Sequence, residues 1–265
     1  MSCPKVLTGI IILFLYLVTW SLPPAGPLVE YGPAKMSMAA YFEQSGQDIF
    51  KPGQAAVSSH YQIGGLLSYS PFKFLQFFSF FGASQFDHNA SELYPGIGFN
   101  GEFDLNYGGG LRLNSPRVAA EVIGISLFGG AGLWQAEDSD TKHVREGKEY
   151  QAGGQLTFMA GKHLLIGLGG EFYLLDGSQK SPNSPQKSSF ANQDLGRGLI
   201  TLEYYPTTTE GALKGRPFIN IHAKITPNVG YDEHLGLKNA AIGISVGLIS
   251  DFLYGPYKAL ADESE

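Results

Sequence analysis

The sequence predicts an all-β chain: a closed antiparallel up-and-down transmembrane β-barrel of about ten strands, within a range of about eight to twelve. Three observations carry that expectation. Apolar and polar residues alternate with period 2 over long stretches, a spacing that helices do not produce. The connections between those stretches alternate between long and short. The aromatics fall toward two rims, as interfacial girdles do; in composition the chain has 35 Gly in 265 residues, 13% aromatics and only 16% charged residues, against roughly 25% charged in an ordinary globular protein.

The same composition excludes other classes. Cys3 is the single cysteine, so neither a disulfide scaffold nor a Cys-ligated zinc site is available. A hydrophobic content of 43% argues against disorder. A net charge of −6 and a pI near 5.5 argue against nucleic acid as a partner.

The first element is an address. Lys5 precedes a nearly continuous apolar run over 6–18, then Thr19, Ser21 and prolines follow. This is the layout of a signal peptide over 1–21, with Ala25 as the later cleavage alternative. The run is too short for a spanning helix, which needs about 20 apolar residues. Residues 22–33 form a short leading segment, 34–254 the barrel, and 255–265 a polar tail.

Strands follow in order near 34–43, 58–70, 72–84, 98–113, 117–135, 148–160, 163–176, 193–205, 216–227 and 237–252. The clearest stretch is 98–114. Phe99, Phe103, Leu105, Tyr107, Leu111 and Leu113 share one face; Asn100, Glu102, Asp104, Asn106, Arg112 and Asn114 share the other. Ile219, Ile221, Ala223 and Ile225 likewise oppose Asn220, His222, Lys224 and Thr226. Ala240, Ile242, Ile244, Val246 and Leu248 oppose Asn239, Gly243, Ser245 and Gly247. Leu156 and Phe158 oppose Gln151, Gln155 and Thr157. Residues 72–84 fit least well, with Phe on both faces.

The connections at 70–71, 114–116 and 161–162 are short; 206–215 is a longer exception. Those at 44–57, 85–97, 136–147, 177–192 and 228–236 are long and polar. Transmembrane barrels place short turns at the periplasmic end and long loops outside. The aromatics sort into two rims. Trp134, Tyr150, Tyr173, Tyr61 and Phe99 fall toward the outer one; Tyr69, Phe72, Tyr204, Phe218, Phe252 and Tyr254 fall toward the inner one.

On these patterns the chain resembles the small bacterial outer-membrane β-barrel proteins. The resemblance covers nearly the whole chain after the leader. It implies a place in the bacterial outer membrane, contact with outer-membrane lipids, and passage through periplasmic chaperones and the barrel-insertion machinery. Members commonly end in a strand with a terminal aromatic. Here the last strand ends near Phe252 or Tyr254 and a polar tail follows.

With apolar residues turned to lipid, polar ones must turn inward. The lumen-lining candidates are Glu102, Asp104, Arg112, Glu121, Glu171, Arg197, Glu203, His222 and Lys224, with Lys35 and Glu43 beside them. Both signs are present. They form either a paired network that closes the lumen or the wall of a narrow, porin-like path for small solutes. Inward glycines at 64, 153, 167, 169, 243 and 247 leave room for the path.

Other motifs carry less. Residues 96–101 (GIGFNG) fit a dinucleotide-loop pattern but lack the strand before and helix after that it requires. Residues 243–247 (GISVG) fit a nucleophile-elbow pattern but lie inside a strand. The six His are scattered without metal-ligand spacing, and no cofactor is expected. The alternative function is an outer-membrane hydrolase, acting on protein or lipid A, with a site at the outer rim. It draws on a resemblance to omptin-type proteases, with Asp87, His88 and His234 as raw material; a lipid A deacylase's His-x-Ser is absent. A soluble secreted barrel that binds lipid is a more distant option.

Overall fold

The computed structural model describes residues 35–51, 54–72, 74–88, 99–116, 118, 122–161, 163–181, 184–192, 196–206, 215–232 and 236–250. The expected signal peptide, the segment 22–33 and the tail 255–265 lie outside them. The strands in chain order are β1 (Lys35–Lys51), β2 (Gln54–Phe72), β3 (Leu75–His88), β4 (Phe99–Asn100), β5 (Asp104–Asn114), β6 (Ile123–Glu137), β7 (Val144–Ala160), β8 (Leu164–Ser181), β9 (Ser184–Asn192), β10 (Gly196–Tyr204), β11 (Gly215–Asp232) and β12 (Gly236–Ser250).

Ten of them form the closed ring β1-β2-β3-β5-β6-β7-β8-β10-β11-β12, all antiparallel. Closure runs through β1 and β12, where Met36 pairs with Ser250 and Gly46 with Ala240. The two remaining strands are accessories at one end. β4 pairs with the tip of β3, and β9 folds back on β8 and touches β1 at Ile49 and Phe50.

Period 2 sorts the wall as expected. On β10 every second residue is buried, ending with Glu203, while Ile200, Leu202 and Tyr204 are exposed. Every strand of the ring exposes large apolar side chains. Examples are Met38, Ile63, Phe81, Leu111, Leu127, Leu156, Phe172, Leu202, Ile221 and Val246. An apolar belt on all sides is the surface of a barrel surrounded by lipid. The Phe residues of 72–84 also resolve: Phe78 and Phe80 point inward, and Phe81 points out.

Three expectations are corrected. The long connections are mostly paired backbone: β1 and β2 continue to Lys51 and Gln54, and the stretch 177–192 is largely a β8–β9 hairpin. These arms exceed the roughly 9–11 residues that cross a bilayer. Beyond the lipid, an outward face needs no apolar residues, so the alternation fades while pairing persists. β6 begins at Ile123 and not near 117, and Val118 forms an isolated bridge to Ile123.

The rims are corrected as well. Trp134, Tyr173, Phe99 and Phe218 are buried inside the barrel, whereas Tyr150, Tyr69, Phe72 and Tyr204 face outward. Phe99 turns inward because the ladder slips. Ser84 pairs with Asp104, but Asp87 pairs with Asn100, so one extra residue lies on the 100–104 side. A one-residue slip exchanges the faces of a strand.

Candidate functional site

The interior is filled in layers. At the short-turn end Leu165, Tyr205, Phe218 and Ile249 form an apolar floor. Tyr41, Leu66, Phe78 and Phe80 pack against the β1–β3 wall. At the long-hairpin end Ile49, Phe86, Phe99, Trp134, Ala136, Tyr173, Leu175 and Phe190 form an aromatic plug. Between floor and plug runs a belt of buried polar and charged side chains.

Glu43 anchors the belt from β1. Its Oε2 accepts from His222 Nε2 at 2.9 Å and faces Lys224 Nζ at 3.2 Å. Lys224 lies 3.9 Å from Glu171, and Arg197 lies 3.8 Å from the same carboxylate. Arg197 also stacks over the Tyr173 ring at 3.6 Å. Asn220 Nδ2 donates to Glu203 at 2.8 Å, and Thr201 donates to Gln155 at 3.3 Å. Nearer the plug, His60 Nδ1 lies 3.1 Å from Glu149 Oε1, and both residues are buried. Buried charges need partners of opposite sign, and the alternation of sign around this belt supplies them: His222 and Lys224 for Glu43, Lys224 and Arg197 for Glu171.

The plug holds a cation of its own. The Arg145 guanidinium lies over Phe99 at 4.2 Å, Phe86 at 5.3 Å and Phe190 at 5.4 Å. Its Nε donates to Gln179 at 2.8 Å, and its Nη2 donates to His88 Nε2. Trp134 stacks on Phe86 with centroids 4.7 Å apart.

Of the expected lumen-lining residues, Arg112, Glu171, Arg197, Glu203, His222 and Lys224 are buried in the interior. Glu102 is not: it is exposed beside Lys142 at 3.8 Å, because it sits in the irregular link between β4 and β5. Asp104 begins β5 half-buried and turns its carboxylate to the Leu105 N–H. Glu121 lies outside the described residues. The expected lumen-lining set did not include His60, Glu149 or Arg145, and it held His88 only as a rim residue for the hydrolase alternative. Extending period 2 through the long connections finds His88 and Arg145, since His88 follows Phe86 and Arg145 precedes Glu149 by two and four positions.

The inward glycines are corrected in role. A side chain at Gly153 would meet the Phe128 ring, and one at Gly243 would meet the His222 ring. At Gly64 and Gly247 neighbouring backbone already occupies the space. Around those four the room is taken by protein, and a cavity of about 20 Å³ lies in the belt, bordered by Gln151, Glu171, Asn220 and His222 among others.

No protein-family model and no curated protein matches the chain. Among solved structures it is similar to the outer membrane protease OmpT from Escherichia coli. Identity is 8%, the match covers 85% of this chain and 99% of that one, and the TM-score is 0.45. A Pseudomonas aeruginosa FadL homologue is similar at 8% identity, covering 82% and 88%, with a TM-score of 0.23. The closed ring of strand pairings establishes the fold independently of both.

At the long-hairpin rim, Asp87 and His88 are adjacent on β3 and therefore point to opposite faces. His88 points inward to Arg145. Asp87 accepts from the Gly101 N–H at 2.9 Å and from Gln85 at 3.1 Å. Burial raises its pKa against those bonds. His234 lies outside the described residues. Across the rim, Asp138 caps the β6–β7 turn. Burial would raise its carboxyl, but hydrogen bonds from Thr141, Asn100 and Asp140 outweigh that and hold it below the usual range.

Proposed function

We propose that this protein is a bacterial outer-membrane barrel with a closed lumen, a structural wall element whose long hairpins form its working surface. One observation carries the reading. Floor, belt and plug pack the interior, and the belt cavity of about 20 Å³ has room for about one water molecule. A ten-stranded ring is only slightly wider than the eight-stranded barrels whose side chains fill the inside. The apolar exterior supports outer-membrane lipids as the partner along the wall. Passage through periplasmic chaperones and the insertion machinery belongs to the same reading. The small-solute path loses support, since the space beside five of the six glycines that left room for it is taken by neighbouring rings or backbone. The hydrolase alternative gains none, because His88 is engaged by Arg145 and turned away from Asp87.

The test is conductance of the refolded protein in a planar bilayer at neutral pH. Inserted protein, verified by mobility that changes on boiling, is expected to be silent. Discrete, reproducible current steps would overturn the reading in favour of a pore.

A further inference from the structure

The belt cavity is bordered by buried polar atoms that make no hydrogen bond within the protein. Within hydrogen-bond distance these lack a partner: Gln151 Oε1, both Glu171 carboxylate oxygens, Asn220 Oδ1 and His222 Nδ1, with Glu171 keeping only its longer ion-pair contacts to Lys224 at 3.9 Å and Arg197 at 3.8 Å. The four residues are 4%, 4%, 1% and 3% exposed, in that order. Two of the atoms are fixed by their neighbours. Asn220 commits Nδ2 to Glu203, which leaves Oδ1, and His222 commits Nε2 to Glu43, which leaves Nδ1 for a partner in the cavity. Buried acceptors are almost always satisfied, by protein or by ordered water.

Volume and charge select the ligand. The cavity of about 20 Å³ accommodates one water-sized molecule, since a water needs roughly 10–15 Å³ measured this way. A cation there would stand beside Arg112 and Lys224, and an anion would face Glu171 and the other acceptors. A neutral molecule that both donates and accepts suits the whole wall. We infer that the lumen centre is a sealed site for a single water, held by Gln151 of β7, Glu171 of β8, and Asn220 and His222 of β11. It rests on the closed-lumen reading and deepens it. β11 pairs only with β10 and β12, so the water joins walls that the ladder leaves apart.

Deuteron relaxation dispersion on the refolded full chain in micelles counts long-lived internal waters. Gln151→Met and Asn220→Leu are each expected to lose one long-lived water relative to the wild type, with ammonium chloride leaving the wild-type count unchanged. Equal amplitudes in all three proteins, or displacement by ammonium, would overturn the inference. A crystal structure of the wild type provides a measurement free of variants. Density within hydrogen-bond distance of two or more of these acceptors is expected, and an empty cavity overturns the site. Wild-type conduction at neutral pH removes the closed-lumen reading itself; a silent bilayer with an empty cavity removes this inference alone.

Discussion

The indole of Trp134 lies over Gly147, its register partner on the neighbouring strand. A Cβ at Gly147 would stand 2.5 Å from the ring carbons, far inside van der Waals contact. The same joint recurs at Phe128 on Gly153, Phe78 on Gly110, His222 on Gly243 and Phe190 on Gly177. In each, an inward ring faces an inward glycine directly across the ladder, and the ring lies down along the wall. The glycine-rich composition and the aromatic content are therefore two halves of one packing device.

Substitution at this joint gives the first prediction. Gly147→Leu must lift the indole out of the plug, and overpacking of this kind costs about 1–3 kcal/mol. In a Trp20→Phe background, which leaves Trp134 as the one tryptophan, its emission is expected to shift to the red. The urea midpoint of the refolded barrel is expected to fall. Unchanged emission and midpoint would show that the ring does not depend on Gly147.

How much of this was legible in the sequence follows from where lipid is. Across the membrane, the outward face must be apolar, so Leu111, Leu113, Ile221 and Ile225 marked their strands clearly against Arg112, Asn220 and Lys224. Beyond the lipid that requirement lapses, and the arms around Gln54, Arg145 and Lys180 read as loops although they are paired. Of the misplaced girdle aromatics, Trp134, Tyr173 and Phe218 keep the inward parity of Phe128, Glu171 and Asn220 on their own strands, while Phe99 has a different reason. Period 2 gives a face only while the register holds, and the slip between Asn100 and Asp104 turned Phe99 inward. Which inward charges meet was not legible at all, because Glu43 and His222 come together only when β1 closes against β12.

A second prediction concerns the plug. Arg145 is fully buried, and its guanidinium is held by three aromatic rings, Gln179 and His88. Arg145→Ala removes contacts worth about 2 kcal/mol or more when desolvated, and opens space beside Trp134. Acrylamide quenching of Trp134 is expected to rise severalfold while the bilayer stays silent, because the floor and the belt remain. Quenching equal to the wild type would mean that Arg145 does not seat the plug.

The belt supplies a third. Lys224→Met leaves Glu43 and Glu171 short of a cation, and breaking a buried pair from one side costs about 3–5 kcal/mol. The Glu43→Gln, Lys224→Met double variant removes both charges, so its loss is expected to be well below the sum of the two single losses. Urea unfolding of the three variants measures the coupling. Strict additivity would show that the 3.2 Å contact contributes nothing specific.

The last prediction is a pH dependence outside the membrane. Asp138 accepts from Asn100 N–H at 2.9 Å, Asp140 N–H at 3.1 Å, Thr141 N–H at 2.6 Å and Thr141 Oγ1 at 2.7 Å. These bonds favour the carboxylate and outweigh burial, so the folded pKa lies below its ordinary 3.8. A depressed acid stabilises the fold fully above the unfolded value and loses that contribution as pH falls through the folded one. The β6–β7 turn is therefore expected to keep its protection from neutral pH down to about pH 4 and to loosen below it. Hydrogen-exchange protection factors of the Asp140 and Thr141 amides measure this directly. Asp138→Asn retains acceptor oxygen but cannot titrate, so its turn is expected to be weaker at neutral pH and flat across the acid range. A wild-type turn equally flat below pH 4 would remove Asp138 as the group that locks it.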